Sequence, residues 1–233
     1  MLQQNFERDH LLKSVRRQLE KISETKEQRD RVDSIIEAMR IVDRKYFVED
    51  QRKAYLNEAL SIGQQQSISQ PFTVARVLQL TGIKPGNRIL EVGSGSGWNA
   101  CIAACLAYPG ETISIERIPE LGITAAAAAE EFLRYLKRKE DPNAKRLSKL
   151  QFKINNVFTM EEYENQYDKV IVTAGITPAR ESKLEDMARR LLKNGGRLVS
   201  PYVNGPLIIM EKNRDKIETR YSKDTFAFVT LIN

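Results

Sequence analysis

The chain has 233 residues, of which 41% are hydrophobic and 29% charged, a composition typical of a folded protein with one large domain. Lys and Arg outnumber Asp and Glu by 37 to 31, which gives a formal net charge of +6. Most of this surplus lies in residues 134–149, which contain seven basic residues and two acidic ones. We interpret that segment as a solvated helix end and loop, and a nucleic-acid partner is not expected.

No apolar run approaches the roughly 20 residues of a membrane-spanning helix, so no membrane association is expected. The first ten residues lack the apolar core of a secretory signal peptide. Cys101 and Cys105 are the only cysteines and stand in an apolar, alanine-rich stretch, which predicts buried helix residues and excludes a disulfide framework. His10 is the only histidine, which gives little support to a metal site. Together these features favour a cytoplasmic protein without a bound metal.

The first part of the chain reads as helical. Residues 7–30 are charge-dense and carry aliphatic residues at helical spacing, which predicts an amphipathic helix that packs on the domain or serves as an oligomer contact. Helical periodicity continues through residues 31–48, and a polar, loop-like stretch follows. Pro71 then opens a helix that extends to Leu80, because proline favours the first helical turn. Residues 1–81 are therefore predicted to form an N-terminal helical region.

From Gly82 onward, short apolar strands alternate with helices. The predicted strands are 88–92, 112–115, 150–154, 167–172 and 197–201, and the predicted helices are 98–107, 119–139 and 182–192. This alternation predicts a parallel, doubly wound α/β sheet. Two further strand-like runs, 207–211 and 225–232, fit an antiparallel edge. Residues 82–233 are thus predicted to form a Rossmann-like core, in one compact domain with the helical region.

The strongest motif is Glu91-Val92-Gly93-Ser94-Gly95-Ser96-Gly97, which lies between a predicted strand and a predicted helix. Alternating glycines allow a tight turn and the close approach of a ligand to the backbone. Glu116 follows Gly93 by 23 residues, at the end of the next strand. In dinucleotide-binding folds, a carboxylate at this place accepts hydrogen bonds from ribose hydroxyls. The spacing differs from that of dinucleotide folds, and no Lys-Ser/Thr pair follows, which excludes a P-loop.

An acidic residue directly before the turn narrows the choice of ligand. Glu91 would repel a pyrophosphate, but it can face the cationic amino acid end of an adenosyl sulfonium compound. The motif therefore favours S-adenosyl-L-methionine as the cofactor over a turn that is merely structural.

Several segments resemble the protein-L-isoaspartate O-methyltransferase family: residues 43–48, 54–55, 60–71, 88–97, 115–118 and 192–201. The glycine-rich turn is common to many methyltransferases, whereas residues 62–71 are specific to this family. The resemblance implies a Rossmann-like, mostly parallel seven-stranded sheet with an antiparallel last strand. It also implies methylation, by S-adenosyl-L-methionine, of the free carboxylate of L-isoaspartyl residues in damaged proteins or peptides, as a repair reaction. Residues 62–71 would then form an active-site loop.

The resemblance assigns roles to individual residues. Ser69 would be the catalytic hydroxyl that orients the substrate carboxylate, although a serine before Pro71 also fits a helix N-cap. The residues implied to bind the cofactor are Gln66, Ser67, Ile68, Ser69, Glu91, Gly93, Ser94, Gly95, Ser96, Gly97, Glu116, Arg117, Asn155 and Asn156. A carboxylate is already a nucleophile at neutral pH, so alignment of the reacting atoms should suffice without a metal.

The sequence departs from the family pattern after the predicted strand 150–154. Asn155-Asn156-Val157 stands there in place of Gly-Asp-Gly, and residues 134–149 resemble an insertion. Two alternatives therefore stay open: a methyltransferase of the same fold that acts on another carboxylate or an RNA base, and a non-catalytic binding protein that retains the fold. A homo-oligomer also stays open.

Overall fold

The computed structural model describes residues 2–159, 164–214 and 216–231. The helices are α1 (Leu2–Ile22), α2 (Lys26–Asp30), α3 (Val32–Ile41), α4 (Pro71–Thr81), α5 (Trp98–Ala107), α6 (Pro119–Arg138) and α7 (Glu181–Leu191). The strands are β1 (Leu60–Ser61), β2 (Ser67–Ile68), β3 (Ile89–Val92), β4 (Thr112–Glu116), β5 (Leu150–Ile154), β6 (Tyr167–Val172), β7 (Leu192–Pro201), β8 (Asn204–Asn213) and β9 (Lys216–Ala227). Within these described residues, no helix is both long and apolar enough to cross a membrane.

A seven-stranded sheet in the order β5-β4-β3-β6-β7-β8-β9 forms the centre of the molecule. The strands β5, β4, β3, β6 and β7 are parallel, and every residue of β3 and β4 is buried, as expected for strands covered on both faces. The predicted mostly parallel seven-stranded sheet is confirmed.

The strand that runs against its neighbours is β8, the sixth in the sheet order, whereas the last strand of the sheet was expected to be antiparallel. β8 is antiparallel to β7, and β9 returns antiparallel to β8. Only Tyr202 and Val203 separate β7 from β8, and a parallel connection needs a crossover of a dozen residues or more. A short connection of this kind therefore dictates a meander.

Two predicted strand boundaries are wrong. β9 covers Lys216–Ala227 rather than 225–232, because most of its side chains are polar and exposed and give no apolar alternation. β7 begins at Leu192 rather than at 197, so residues 194–196, which include two glycines typical of a turn, lie inside the strand. The register with β6 shifts at this point, and Gly195 adopts a φ of +77° there.

The N-terminal helix α1 is a packing element of the domain. Its residues Leu11, Leu12, Val15 and Leu19 are buried in a core that also includes residues of α3, α4, α5 and α6. The helices α1, α3 and α4 thus share a hydrophobic core with the Rossmann-like part. A second core, on the opposite side of the sheet, is formed with α7.

Cys101 and Cys105 are buried in α5 and are not bonded to each other, as predicted. Burial raises the pKa of both thiols, that of Cys105 to about 12, so they remain protonated packing residues.

Candidate active site

The glycine-rich turn joins the end of β3 to the start of α5. Gly93, Gly95 and Gly97 all have positive φ, at +97°, +51° and +84°. A Cβ atom on Gly93 would lie 2.3 Å from Oγ1 of Thr173, and one on Gly97 would lie 2.9 Å from the carbonyl oxygen of Ala125 in α6. Close approach to neighbouring elements therefore requires glycine at both ends of the turn.

A cavity lies at the carboxyl ends of β3, β4, β5 and β6, the edge at which open α/β sheets bind ligands. Residues 66–69, one side of α4 and residues 228–231 form its remaining walls. Each residue that the sequence assigned to the cofactor lines this cavity, except Gly97, which is an α5 N-cap packed against α6. The fold thus brings the residues predicted to bind the cofactor together around one cavity, and Gly97 alone among them does not line it.

Glu116 is held rigidly on the cavity wall. Its carboxylate accepts backbone N–H bonds from Gly95 (3.1 Å), Arg117 (2.9 Å) and Ile118 (3.0 Å). A carboxylate offers about four acceptor positions, so this arrangement leaves room for a hydroxyl donor such as a ribose. The bond from Gly95 also fixes the glycine-rich turn relative to β4.

Glu91 lies beneath the turn and is completely buried. Asn99 Nδ2 donates to one of its oxygens at 2.7 Å, and the Ser114 hydroxyl donates to the other. Burial raises the pKa of Glu91 to about 8, and a cation bound beside it would favour the ionised form. The sequence analysis did not predict that Asn99 and Ser114 would be partners of Glu91. Each is a polar residue in an otherwise apolar helix or buried strand, and such a residue needs a hydrogen-bond partner, which could have pointed to them.

The segment after β5 contains no backbone conformation that requires glycine. No residue of 155–157 has a positive φ, so the two glycines of the family pattern are not needed. Asn156 Oδ1 accepts the N–H of Phe158 at 3.0 Å, and Asn155 Oδ1 accepts the N–H of Asn156 at 2.7 Å. These local bonds hold a turn that presents both asparagines to the cavity.

A second cavity adjoins the first. Its walls come from residues 57–59, the start of α4 and residues 225–229, where Phe226 and Phe228 lie edge to face at 6.4 Å. The residues common to both cavities are Ser67, Ser69, Thr73, Thr173, Phe228 and Val229. Ser69 therefore lies where a ligand of one cavity would meet a ligand of the other.

The interpretation of Ser69 as a helix cap is wrong. Gln70 is the N-cap residue of α4, and no side chain caps the helix. The hydroxyl of Ser69 makes no hydrogen bond within the part of the chain that the structure describes, whereas its carbonyl oxygen accepts from Arg44 at 3.2 Å. The hydroxyl is thus available to a ligand.

Comparison with known proteins identifies the family. The family model of protein-L-isoaspartate(D-aspartate) O-methyltransferase matches residues 16–233. The protein-L-isoaspartate O-methyltransferase of Methanopyrus kandleri is 36% identical over 210 residues, which cover 87% of this chain and 84% of the relative. Protein-L-isoaspartate O-methyltransferase 1 of Arabidopsis thaliana is 34% identical over 193 residues, which cover 78% of this chain and 76% of the relative.

The chain belongs to the protein-L-isoaspartate O-methyltransferase family. The resemblance seen in the sequence is confirmed, and with it a methyltransferase that uses S-adenosyl-L-methionine. The fold is also that of a solved structure from Plasmodium falciparum in complex with S-adenosyl-L-homocysteine. That structure has a TM-score of 0.72 and 22% identity, with 96% of this chain and 97% of that chain covered.

The basic segment lies far from the first cavity along α6. This helix begins beside the first cavity and ends at Arg138, roughly 30 Å away at 1.5 Å per residue. Lys137 and Arg138 complement the negative end of the helix dipole. Arg146 and Lys149 donate to the carbonyl oxygens of Cys105 (3.2 Å) and Pro109 (3.0 Å). These structural roles support the interpretation as a helix end and loop.

Among the described residues, no group of three or more His, Cys, Asp or Glu side chains is arranged to hold a metal ion.

Proposed function

We propose that this chain methylates the free α-carboxylate of L-isoaspartyl residues in damaged proteins, with the first cavity as the cofactor site and the second as the substrate site. The observation that carries this assignment is the wall that the two cavities share, which includes Ser69 and Thr173. A substrate carboxylate in the second cavity would meet a cofactor in the first cavity at this shared wall.

The residues of the first cavity fit the cofactor. The glycine turn admits a ligand close to the backbone, Glu116 has acceptor capacity for ribose hydroxyls, and the asparagine amides offer donors and acceptors for adenine. Glu91, ionised when a cation approaches, would face the amino acid end. When bound, S-adenosyl-L-methionine supplies an activated methyl group.

The residues of the second cavity orient the nucleophile. The Ser69 hydroxyl donates a hydrogen bond to the substrate carboxylate and fixes the direction of its reacting oxygen. The aromatic rings of Phe226 and Phe228 exclude water from this place. No residue has to remove a proton, because the substrate is already an anion at neutral pH.

Transfer of labelled methyl groups to a panel of acceptors tests this proposal. We expect base-labile label on a peptide that contains isoaspartate and none on the same peptide with aspartate or on RNA. Label on RNA, or on the aspartyl peptide at an equal rate, would contradict the proposal. Absence of label on all acceptors, with cofactor binding intact, would contradict it in favour of another substrate.

The free, buried cysteines also support a reducing compartment, and we assign the enzyme to the cytoplasm. Cell fractionation with detection of the native chain tests the compartment, and recovery in a membrane or secreted fraction would contradict it.

A further inference from the structure

Arg44 is a buried cation without a counter-ion. It stands in a short 3-10 helix, Arg44–Phe47, and its exposed fraction is 2%. No carboxylate pairs with it among the described residues. Burial lowers its pKa to about 10, so the guanidinium is charged at neutral pH. A buried charge of this kind is costly unless carbonyl dipoles or another group compensate for it.

The compensation comes from four carbonyl groups, two of which, those of Glu58 and Ser69, belong to residues that line the second cavity. Nη1 donates to the carbonyl oxygens of Ala54 and Leu56, both at 3.1 Å. Nη2 donates to those of Glu58 at 2.8 Å and Ser69 at 3.2 Å. One guanidinium thus ties the segment that leads into residues 57–59 to the backbone of the proposed active-site serine.

Arg44 also contacts the element that follows the glycine turn. Its guanidinium lies 5.3 Å from the ring centroid of Trp98, the first residue of α5, and Trp98 Nε1 donates to the carbonyl oxygen of Val42 at 2.9 Å. The charge therefore lies between the second cavity and the first helix of the cofactor site.

The second cavity has no cation of its own for an anionic substrate. No Lys or Arg is among its lining residues, and the one charged residue there, Glu58, is acidic. The first cavity contributes Glu91 and Glu116, and its single cation, Arg117, is exposed.

The two other cations near the 3-10 helix share one carboxylate, with which Arg44 forms no ion pair. Arg8 and Lys45 each approach the carboxylate of Asp43 at 3.4 Å. Arg44 is thus the unpaired charge that contacts the substrate cavity through its walls.

We propose that Arg44 is a positioning residue whose buried positive charge attracts the substrate α-carboxylate into the second cavity, while its hydrogen bond to the carbonyl oxygen of Ser69 holds that residue in place. This inference rests on the proposed function, because it concerns the anion that this function requires. Carbonyl groups polarised by the guanidinium transmit the charge without placing a basic side chain in the cavity.

Two peptides that differ in one group test the role of the charge. One contains isoaspartate with its α-carboxylate, and the other carries the neutral α-carboxamide at the same position. Both are titrated calorimetrically into enzyme saturated with S-adenosyl-L-homocysteine, which has no methyl group to transfer and no sulfonium charge. The wild type is expected to bind the anionic peptide more tightly.

Substitutions of Arg44 are expected to change this preference selectively. Arg44→Met should reduce it about tenfold, the scale of a unit-charge interaction over roughly 10 Å in a protein site. Arg44→Lys keeps the charge and should retain most of the preference, although the lost fork of hydrogen bonds should lower kcat. Arg76→Met is the matched control, since Arg76 is also fully buried but pairs with Asp224 at 2.6 Å and lines neither cavity. It should lower stability and leave the preference unchanged.

Equal weakening of both peptides by Arg44→Met would overturn the proposal and leave a purely structural role. A second measurement needs no variant: the wild-type preference should persist at high salt, because a buried charge is poorly screened. Collapse of the preference at high salt would also overturn it. Neither result touches the proposed function, which is tested separately by methyl transfer from the wild type to the isoaspartyl peptide, the aspartyl peptide and RNA.

Discussion

A single substitution can test the role proposed for the hydroxyl of Ser69. Ser69→Ala removes one hydrogen bond to an anionic substrate, which is worth about 1.5–3 kcal/mol, so kcat is expected to fall by about ten- to a hundredfold. The affinity for S-adenosyl-L-methionine should change little, because the backbone of residue 69 remains in place. Steady-state kinetics with an isoaspartyl peptide and calorimetry with the cofactor measure the two effects.

A matched control lies on the hairpin that β1 and β2 form directly before Ser69. Ser61 is exposed on β1, outside both cavities, so Ser61→Ala should leave kcat and cofactor affinity unchanged. A Ser69→Ala enzyme as fast as this control would show that the hydroxyl takes no part in the reaction.

The raised pKa of Glu91 links the stability of the chain to pH. The folded chain keeps this proton up to about pH 8, whereas an unfolded glutamate releases it near 4.5. The stabilising contribution is therefore complete below the lower value and is lost as pH rises to the upper one, by at most about 1.4 kcal/mol per pH unit.

Glu91→Gln cannot ionise and should remove this dependence. The free energy of unfolding of the wild type minus that of the variant is expected to fall between about pH 5 and pH 8 and to level off above. Denaturant titrations across this range measure the difference. Parallel curves for the two proteins would contradict the assigned pKa of Glu91.

The sequence allowed a prediction of a residue's role only where that residue is part of a local sequence motif. Glu116 and Gly95 follow from the strand–turn–helix motif, whose geometry depends on neighbouring residues. Arg44 and the pair Asn99 and Ser114 act across distant parts of the chain, and no local pattern gives such contacts. Gly97 was assigned to the cofactor because the motif does not distinguish a glycine that meets a ligand from one that meets α6.

At the scale of elements, the glycine turn should fail when its middle residue gains a side chain. Gly95→Leu places a side chain on the cavity wall at a φ of +51°, so cofactor binding should fall below detection. Gly86→Leu is the control, because Gly86 also has a positive φ, +87°, but faces open space in a remote turn. It should cost about 1–2 kcal/mol of stability and leave binding unchanged.

Calorimetric titration of S-adenosyl-L-homocysteine into both variants decides the matter. Retained binding by Gly95→Leu would remove the turn from the cofactor site, and lost binding by both would indicate a general failure of folding.

The elements of the parallel sheet were predictable, whereas the β1–β2 hairpin was not. Buried parallel strands give short apolar runs between helices, which sequence patterns detect. β1 and β2 have two residues each, and the connection contains Gln64 and Gln65 at φ values of 49° and 56°. Gly63 marks a turn in this connection, at a φ of +82°, but strands of two residues give no apolar alternation that would reveal the hairpin that leads to Ser69.

At the scale of the whole molecule, the N-terminal helix should stabilise the entire domain. Leu19 is completely buried against the shared core, so Leu19→Ala is expected to cost about 2–5 kcal/mol. Unfolding should remain a single transition, because α4, which contacts α1, also walls both cavities.

The exposed residue Lys13 of the same helix supplies the control, and Lys13→Ala should change stability by less than about 0.5 kcal/mol. Calorimetric unfolding of both variants measures the effect. A separate early transition in Leu19→Ala would mean that the helical region folds apart from the sheet.

The most direct test of the central claim uses one peptide with four kinds of carboxyl group: an isoaspartyl, an aspartyl, a glutamyl and the C-terminal carboxyl. After brief reaction with S-adenosyl-L-methionine, tandem mass spectrometry locates the methyl ester. The cavity geometry and family membership predict a single ester, on the α-carboxylate of the isoaspartyl residue. An ester on any other carboxyl group, or an even distribution, would contradict the account.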